Sequence, residues 1–183
     1  DEIPIALGRT GRLFAIEHYG IEPDILVLGK GLGGGTMPLA AMLARAEYDI
    51  AQDISLGHYT HEKSPVACAA GNAVLDALEQ DGLLVQSAQK GQRLVEQLRQ
   101  GTAAMACVKE VRGLGLLVGV ELQDTPQRPA NALAEAVLYR CLSMGLSFKV
   151  GQGNVLVLSP PLTIEDADMA WAADCVVQAL QMG

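Results

Sequence analysis

The sequence predicts an α/β fold in two parts, and three observations predict it. Ile25-Leu26-Val27-Leu28 is a short apolar run closed by Gly29, as in a fully buried strand, and a glycine-dense loop follows at Gly31, Gly33, Gly34 and Gly35. From Ser64 onward the apolar residues take up a helical period. Beyond residue 103 or so, apolar runs, a helical stripe, further apolar runs and a last helical segment follow one another, as in a smaller α+β unit. The expected division is 1–103, strands and helices of a layered sheet with connecting helices, and 104–183, a small α+β domain.

Each element has its own signal. Leu39 to Leu43 reads as a second strand and Ala46 to Asp53 as a short helix. Val66, Ala69, Ala70, Ala73, Val74, Ala77 and Leu78 make one helix face, with Ser64 suited to the N-cap and Pro65 to the first helical position. Gly82 interrupts, and Leu84, Ala88, Gly91, Val95 and Leu98 continue on a second helix, for which Gly101 is the expected C-cap. Val108–Val111 and Leu116–Leu122 read as paired strands around Gly113-Leu114-Gly115. A stripe from Ala130 to Leu142 reads as a helix ending at Gly145. Leu146–Val150 and Val155–Leu158 read as strands flanking Gly151-Gln152-Gly153-Asn154. Thr163-Ile164-Glu165-Asp166 fits a capping box before a last helix to about Leu180.

Composition narrows the function classes. Half of the 183 residues are hydrophobic, enough for a real core. The net charge is −8 and no basic run occurs, which argues against nucleic acid and anionic membranes as partners. No apolar run approaches the roughly 20 residues of a membrane span. The four cysteines are far apart with no C-x-x-C pair, as expected of reduced core cysteines in a cytoplasmic protein. The opening Asp1-Glu2-Ile3-Pro4 reads like the end of a strand, so the chain is expected to be a piece of a longer polypeptide.

Lys30 is the residue with the most chemistry. Lysine is rarely fully buried, yet Lys30 directly follows a buried strand, and Gly29 and Gly31 clear side chains from both sides of it. Desolvation would favour a neutral amine, the form that attacks an aldehyde. The plainer alternative is a lysine that reaches from the strand end to water. A P-loop is excluded, because its first glycine position is Asp24 and its Ser/Thr position is Gly31. Gly29-x-Gly31-x-x-Gly34 fits the dinucleotide pattern, but Gly35-Thr36-Met37-Pro38 does not open a helix.

Taken in order, Asp1-Glu2-Ile3, Gly8-Arg9-Thr10-Gly11, Glu22-Pro23-Asp24-Ile25, Gly29-Lys30-Gly31-Leu32-Gly33-Gly34-Gly35 and Pro38-Leu39-Ala40-Ala41 resemble the class III aminotransferases. So do Ser64 to Ala70, Val111 to Leu116 and Leu158-Ser159-Pro160-Pro161-Leu162-Thr163. The resemblance implies the C-terminal part of a fold-type I large domain, three-layered with a mainly parallel sheet, plus a small α+β C-terminal domain. It implies pyridoxal 5'-phosphate as cofactor and no metal. Lys30 matches the lysine that holds the cofactor as a Schiff base and shuttles the substrate proton. Asp1 matches the aspartate that pairs with the pyridinium nitrogen. Thr60 matches the threonine that binds the cofactor phosphate from the neighbouring subunit, which implies a homodimer with a shared active site. The implied activity of the full-length protein moves an amino group between an amine or amino acid and a keto acid. The alternatives are an ammonia- or phospho-lyase on the same cofactor, or an incomplete, non-catalytic fragment.

Three departures bear on the substrate. Pro4 stands where the family commonly has glutamine. Thr60-His61-Glu62-Lys63-Ser64-Pro65 departs from the usual aromatic and asparagine positions. Val157 stands where many members carry an arginine that grips the α-carboxylate bidentately. The loop His58, Tyr59, His61 and Glu62 lacks the helical H-E-x-x-H spacing and is expected to line the cofactor or a subunit contact. Arg9 and Arg112, in glycine-flanked turns, are expected to bond carbonyls or carboxylates.

Overall fold

The computed structural model describes residues 1–51, 53–55, 57 and 59–182; His58 lies outside them. The residues form two compact units, Asp1–Leu84 and Val85–Gly183. In the first, β1 (Ile25–Leu28) pairs antiparallel with β2 (Ala41–Ala44). The helix expected over Ala46–Asp53 is only a 3-10 turn, Ala46–Tyr48. Helix α1 (Pro65–Gln80) begins at the expected proline, though the Ser64 side chain makes no capping bond.

Helix α2 runs Leu83–Thr102. The second unit adds β3 (Val108–Leu114), β4 (Leu117–Leu122), α3 (Ala130–Ser143), β5 (Lys149–Gly151), β6 (Val155–Leu158) and α4 (Asp166–Gln181). Its sheet has the order β3-β4-β6-β5. Every strand pair among the described residues is antiparallel, so the parallel pairing implied by the resemblance is not among them. Tight turns return the chain directly from β3 to β4 and from β5 to β6, whereas β4 reaches its neighbour β6 only after α3 and β5.

One face of the sheet is buried. Val118, Val120, Leu156 and Leu158 are buried in one core with Leu94, Leu98, Val137 and Val176 of the helices. The alternate residues, including Lys149, Val157, Gly119 and Arg112, lie on the opposite face, as the period of two requires.

Helix α2 groups with the second unit, although the sequence suggests a connecting helix of the first part. Lys90 Nζ donates to the Ile164 carbonyl (2.6 Å), Arg93 pairs with Asp166 (2.7 Å), and Gln97 bonds Asp174 (3.0 Å). Gly101 is not the C-cap. It lies in the last turn, where a Cβ would sit 2.6 Å from Val177 Cγ2, so its small size serves packing against α4. The last helix starts later than the capping box implies, at Asp166 with Glu165 as N-cap. The Ile164 N–H is taken by the Pro161 carbonyl and its carbonyl by Lys90, which hold it outside the helix. None of the described helices is long and apolar enough to cross a membrane.

Candidate active site

Lys30 sits one residue beyond the end of β1. Gly29 is buried and extended, and the Ile3 side chain packs over it, 3.4 Å from where a Cβ would stand. Lys30 has φ +45°, the left-handed region that costs a side-chain-bearing residue about 1 kcal/mol or more. It opens the 3-10 helix Lys30–Gly33, closed by the Leu32 N–H to Gly29 carbonyl bond (3.1 Å). Its side chain is exposed, so the desolvation expected for it is not supplied by the described residues. Behind this loop lies α1: Gly71 admits Leu39, whose Cδ2 would be 2.7 Å from a Cβ there.

Asp1 is held on the free edge of β1. The Asp24 carbonyl accepts from Arg45 N–H on the β2 side, so alternation turns the Val27 carbonyl to the other edge. There it accepts from the Glu2 N–H (2.9 Å). The exposed Asp1 carboxylate accepts from the Ile3 N–H (2.8 Å). Asp1 and Lys30 therefore belong to adjoining segments of one layer, joined through Glu2–Val27 and Ile3–Gly29.

Glu2 is a residue whose role the sequence reading missed. It is only 4% exposed. Its carboxylate accepts from the Ala15 N–H (2.9 Å) and the Ile16 N–H (2.7 Å), the first two of the 3-10 helix Ala15–Tyr19. Free N–H groups at a helix start are natural partners for a carboxylate. The available signal was alternation: if Asp1 and Ile3 share one face, Glu2 points to the other, where a carboxylate must find donors. His18 Nε2 lies 3.1 Å from both the carbonyl and the hydroxyl of the buried Thr10, which fixes the same loop. Burial pushes the Arg9 pKa below its usual value.

Thr60 is exposed, in a turned loop before α1 where Glu62 N–H donates to the Tyr59 carbonyl (3.1 Å) and Ser64 N–H to the His61 carbonyl (3.2 Å). Residues Tyr59 to Pro65 line a depression of about 380 Å³. Among the described contacts none joins Thr60 to Asp1 or Lys30. No group of three potential metal ligands occurs among the described residues.

In the second unit the register sets Lys149, Val157, Gly119 and Arg112 side by side across all four strands. Arg112 Nη1 donates to Glu110 (2.8 Å) and Glu121 (2.6 Å), and Lys109 pairs with Glu121 (2.6 Å). The bond to Glu121 raises the Arg112 pKa, and the bonds from Lys109 and Arg112 hold the Glu121 carboxyl below its usual range. Val157 and Lys149 border a cavity of about 300 Å³ with largely apolar walls, among them Leu146, Phe148, Pro160 and Trp171, and with Asp168 as its acidic residue.

Comparison with known proteins bears on these arrangements. The family described as aminotransferase class III matches residues 1–180. The (R)-1-hydroxy-2-aminoethylphosphonate ammonia-lyase of Vibrio splendidus is 46% identical over 98% of this chain and 38% of its own length. The ornithine aminotransferase of Bacillus cereus is 39% identical over 94% of this chain and 41% of its own. The crystal structure of a Bacillus anthracis aminotransferase superposes with a TM-score of 0.89 at 31% identity, over 100% of this chain and 44% of that one. The chain thus spans about two-fifths of the length of the curated relatives it matches.

Proposed function

From the premise that the chain belongs to the class III aminotransferases, a family of pyridoxal-phosphate enzymes, we propose that the whole protein moves an amino group between an amine or amino acid and a keto acid, with Lys30 as its catalytic residue. The observation that carries this reading is the family match over residues 1–180 with Lys30 accessible at the end of β1 in a left-handed conformation. Such outliers concentrate where geometry serves function.

The residues present fit the cofactor. Lys30 offers an exposed amine with no neighbouring side chain at Gly29 or Gly31. The bound cofactor supplies an electron sink for the bond broken at the substrate's Cα. Lys30 would hold the cofactor through its amine, and the same amine, when free, would move the proton at the substrate carbon. Asp1 would offer its carboxylate to the ring nitrogen, and Glu2 holds its neighbour Asp1 in place by binding the Ala15 and Ile16 N–H groups. Thr60 offers a hydroxyl to the phosphate of the neighbouring subunit's site, so the active unit is a homodimer. In this reading residues 1–103 are part of the large domain with its connecting helices, α2 being the connecting helix that packs within the second compact unit, and 104–183 are the small C-terminal domain.

The second reading is an ammonia-lyase on the same cofactor. Two observations favour it: the Vibrio splendidus relative at 46% identity, whose name carries a phosphonate substrate, and Val157 in place of the carboxylate-gripping arginine.

The test uses full-length protein with pyridoxal phosphate. A visible absorbance band of lysine-bound cofactor should form and be lost in Lys30→Ala; an unchanged spectrum in that variant removes Lys30 from the mechanism. Incubation with amines in the absence of keto acid separates the two readings. Catalytic ammonia release selects the lyase, and product only on adding a keto acid selects the aminotransferase.

A further inference from the structure

We propose that Lys149 is a specificity-determining residue, taking the place of the missing arginine by gripping a tetrahedral phosphorus oxyanion (a phosphonate or phosphate ester) on the substrate. The inference rests on the reading above, in which the Val157 position meets the substrate's anionic group.

The register carries the argument. Lys149 is the direct cross-strand partner of Val157, and Gly119 is its partner on the other side. Cross-strand partners project to the same face of a sheet. Val157 is therefore flanked by a residue with no side chain and by one cation. Strands lie about 4.8 Å apart, a gap that the four-carbon stem of lysine spans. The ammonium can thus stand over the place the arginine would have filled.

The charges around it leave Lys149 available. Arg112, at the far end of the same row, is held by Glu110 and Glu121, and Lys109 is held by Glu121. The next row across the sheet reads Gly151, Val155, Glu121, Glu110, so both residues nearest Lys149 are uncharged. Glu121 is two strands away and bonded by two cations. Asp168, on the wall of the same cavity, forms no ion pair with Lys149. Among the described residues Lys149 makes neither an ion pair nor a side-chain hydrogen bond, and it is exposed.

The relative of Vibrio splendidus, named for a phosphonate substrate, points to the class of anion. An arginine fork bonds a carboxylate or a phosphate in one fixed plane. An ammonium is a compact point charge with three rotatable donors, which reaches a tetrahedral oxyanion from any side. Val157 removes the fork and leaves an apolar wall beside that charge.

The experiment titrates full-length protein with methylphosphonate, methyl phosphate and acetate by calorimetry, none of which carries an amine. The expected result is that the phosphorus probes bind more tightly than acetate. Lys149→Met should weaken the phosphorus probes about tenfold or more, as expected for loss of a charged hydrogen bond. Lys149→Arg should retain most of the binding. Which of the two phosphorus probes binds more tightly identifies the phosphonate or the ester as the natural group. Equal affinity of wild type and Lys149→Met for both phosphorus probes, or tighter binding of acetate, overturns the proposal. The titration does not depend on the cofactor band. Loss of the Lys30 reading and loss of the Lys149 proposal are thus separate results.

Discussion

Replacing Gly91 by alanine tests how α2 is seated on the second unit. A Cβ at Gly91 would lie 2.7 Å from Gly115 Cα, with the carbonyl carbon and oxygen of Gly115 closer still. Carbon atoms pack at about 3.5–4.0 Å, so to clear the carbonyl group helix and turn must separate by more than about 1 Å. The obstacle is backbone and cannot rotate away. The turn is also fixed: Leu114 pairs with Leu117 across it, and the Leu116 N–H donates to the Ser87 hydroxyl (3.3 Å), with Leu116 and Ser87 both 0% exposed. An alanine in a helix interior normally gains up to about 1 kcal/mol over glycine. Overpacking a rigid contact costs about 1–3 kcal/mol and occasionally more, and the loss of the Ser87 bond adds about 1 kcal/mol. The net expectation is destabilisation by about 2 kcal/mol or more, read from urea unfolding. Gln92→Ala, an exposed change on the same helix, should stay within about 0.5 kcal/mol of wild type. A Gly91→Ala protein as stable as wild type would refute the reasoning, because it would mean the turn gives way freely.

Glu2→Ala should lower unfolding stability by about 2 kcal/mol, since a buried and a part-buried N–H group lose a charged acceptor, and should speed hydrogen exchange at Ala15 and Ile16; unchanged exchange there would remove its anchoring role. Cys141 is fully buried and its thiol is pushed up to about 11, chiefly by desolvation and secondarily by Cys175, while Cys68 is exposed. A disulfide reagent near pH 8 should therefore modify Cys68 in the native protein and reach Cys141 only on unfolding. Because the folded state holds the Cys141 proton more tightly, its contribution to stability is present below about pH 9 and is lost as pH rises from about 9 towards about 11. Unfolding midpoints of wild type and Cys141→Ala across that window measure it: the wild type should lose more stability than the variant.

What could be read from the chain depended on whether its cause was local. The strand before Lys30 was legible because an apolar run and the glycines after it are adjacent in sequence, but its burial was not, since Ile25 is exposed. The same holds for α1, whose proline start and repeating apolar face lie within one segment. Gly101 was misread because a glycine that ends a helix and one that admits a neighbour look alike; Val177, far along the chain, decides between them. The start of α4 was misplaced for a similar reason, since Lys90 claims the Ile164 carbonyl from another helix. At the site, the position of Lys30 was legible but its exposure was not, because exposure depends on what surrounds it. Glu2 was visible as part of a motif, but its partners lie 13 and 14 residues further on.

The two-faced sheet has a consequence for how this scaffold can change over time. Leu156 and Leu158 belong to the buried core, and Val157 between them does not. A substitution at 149 or 157 rewrites the outward surface without repacking the interior, so it carries little of the folding penalty that constrains most mutations. Selection can then act on the outward positions almost independently of the inward ones. A single inherited framework can in this way exchange one reader of an anionic group for another by changing one residue, while the strands, the helices and the lysine loop stay as they were.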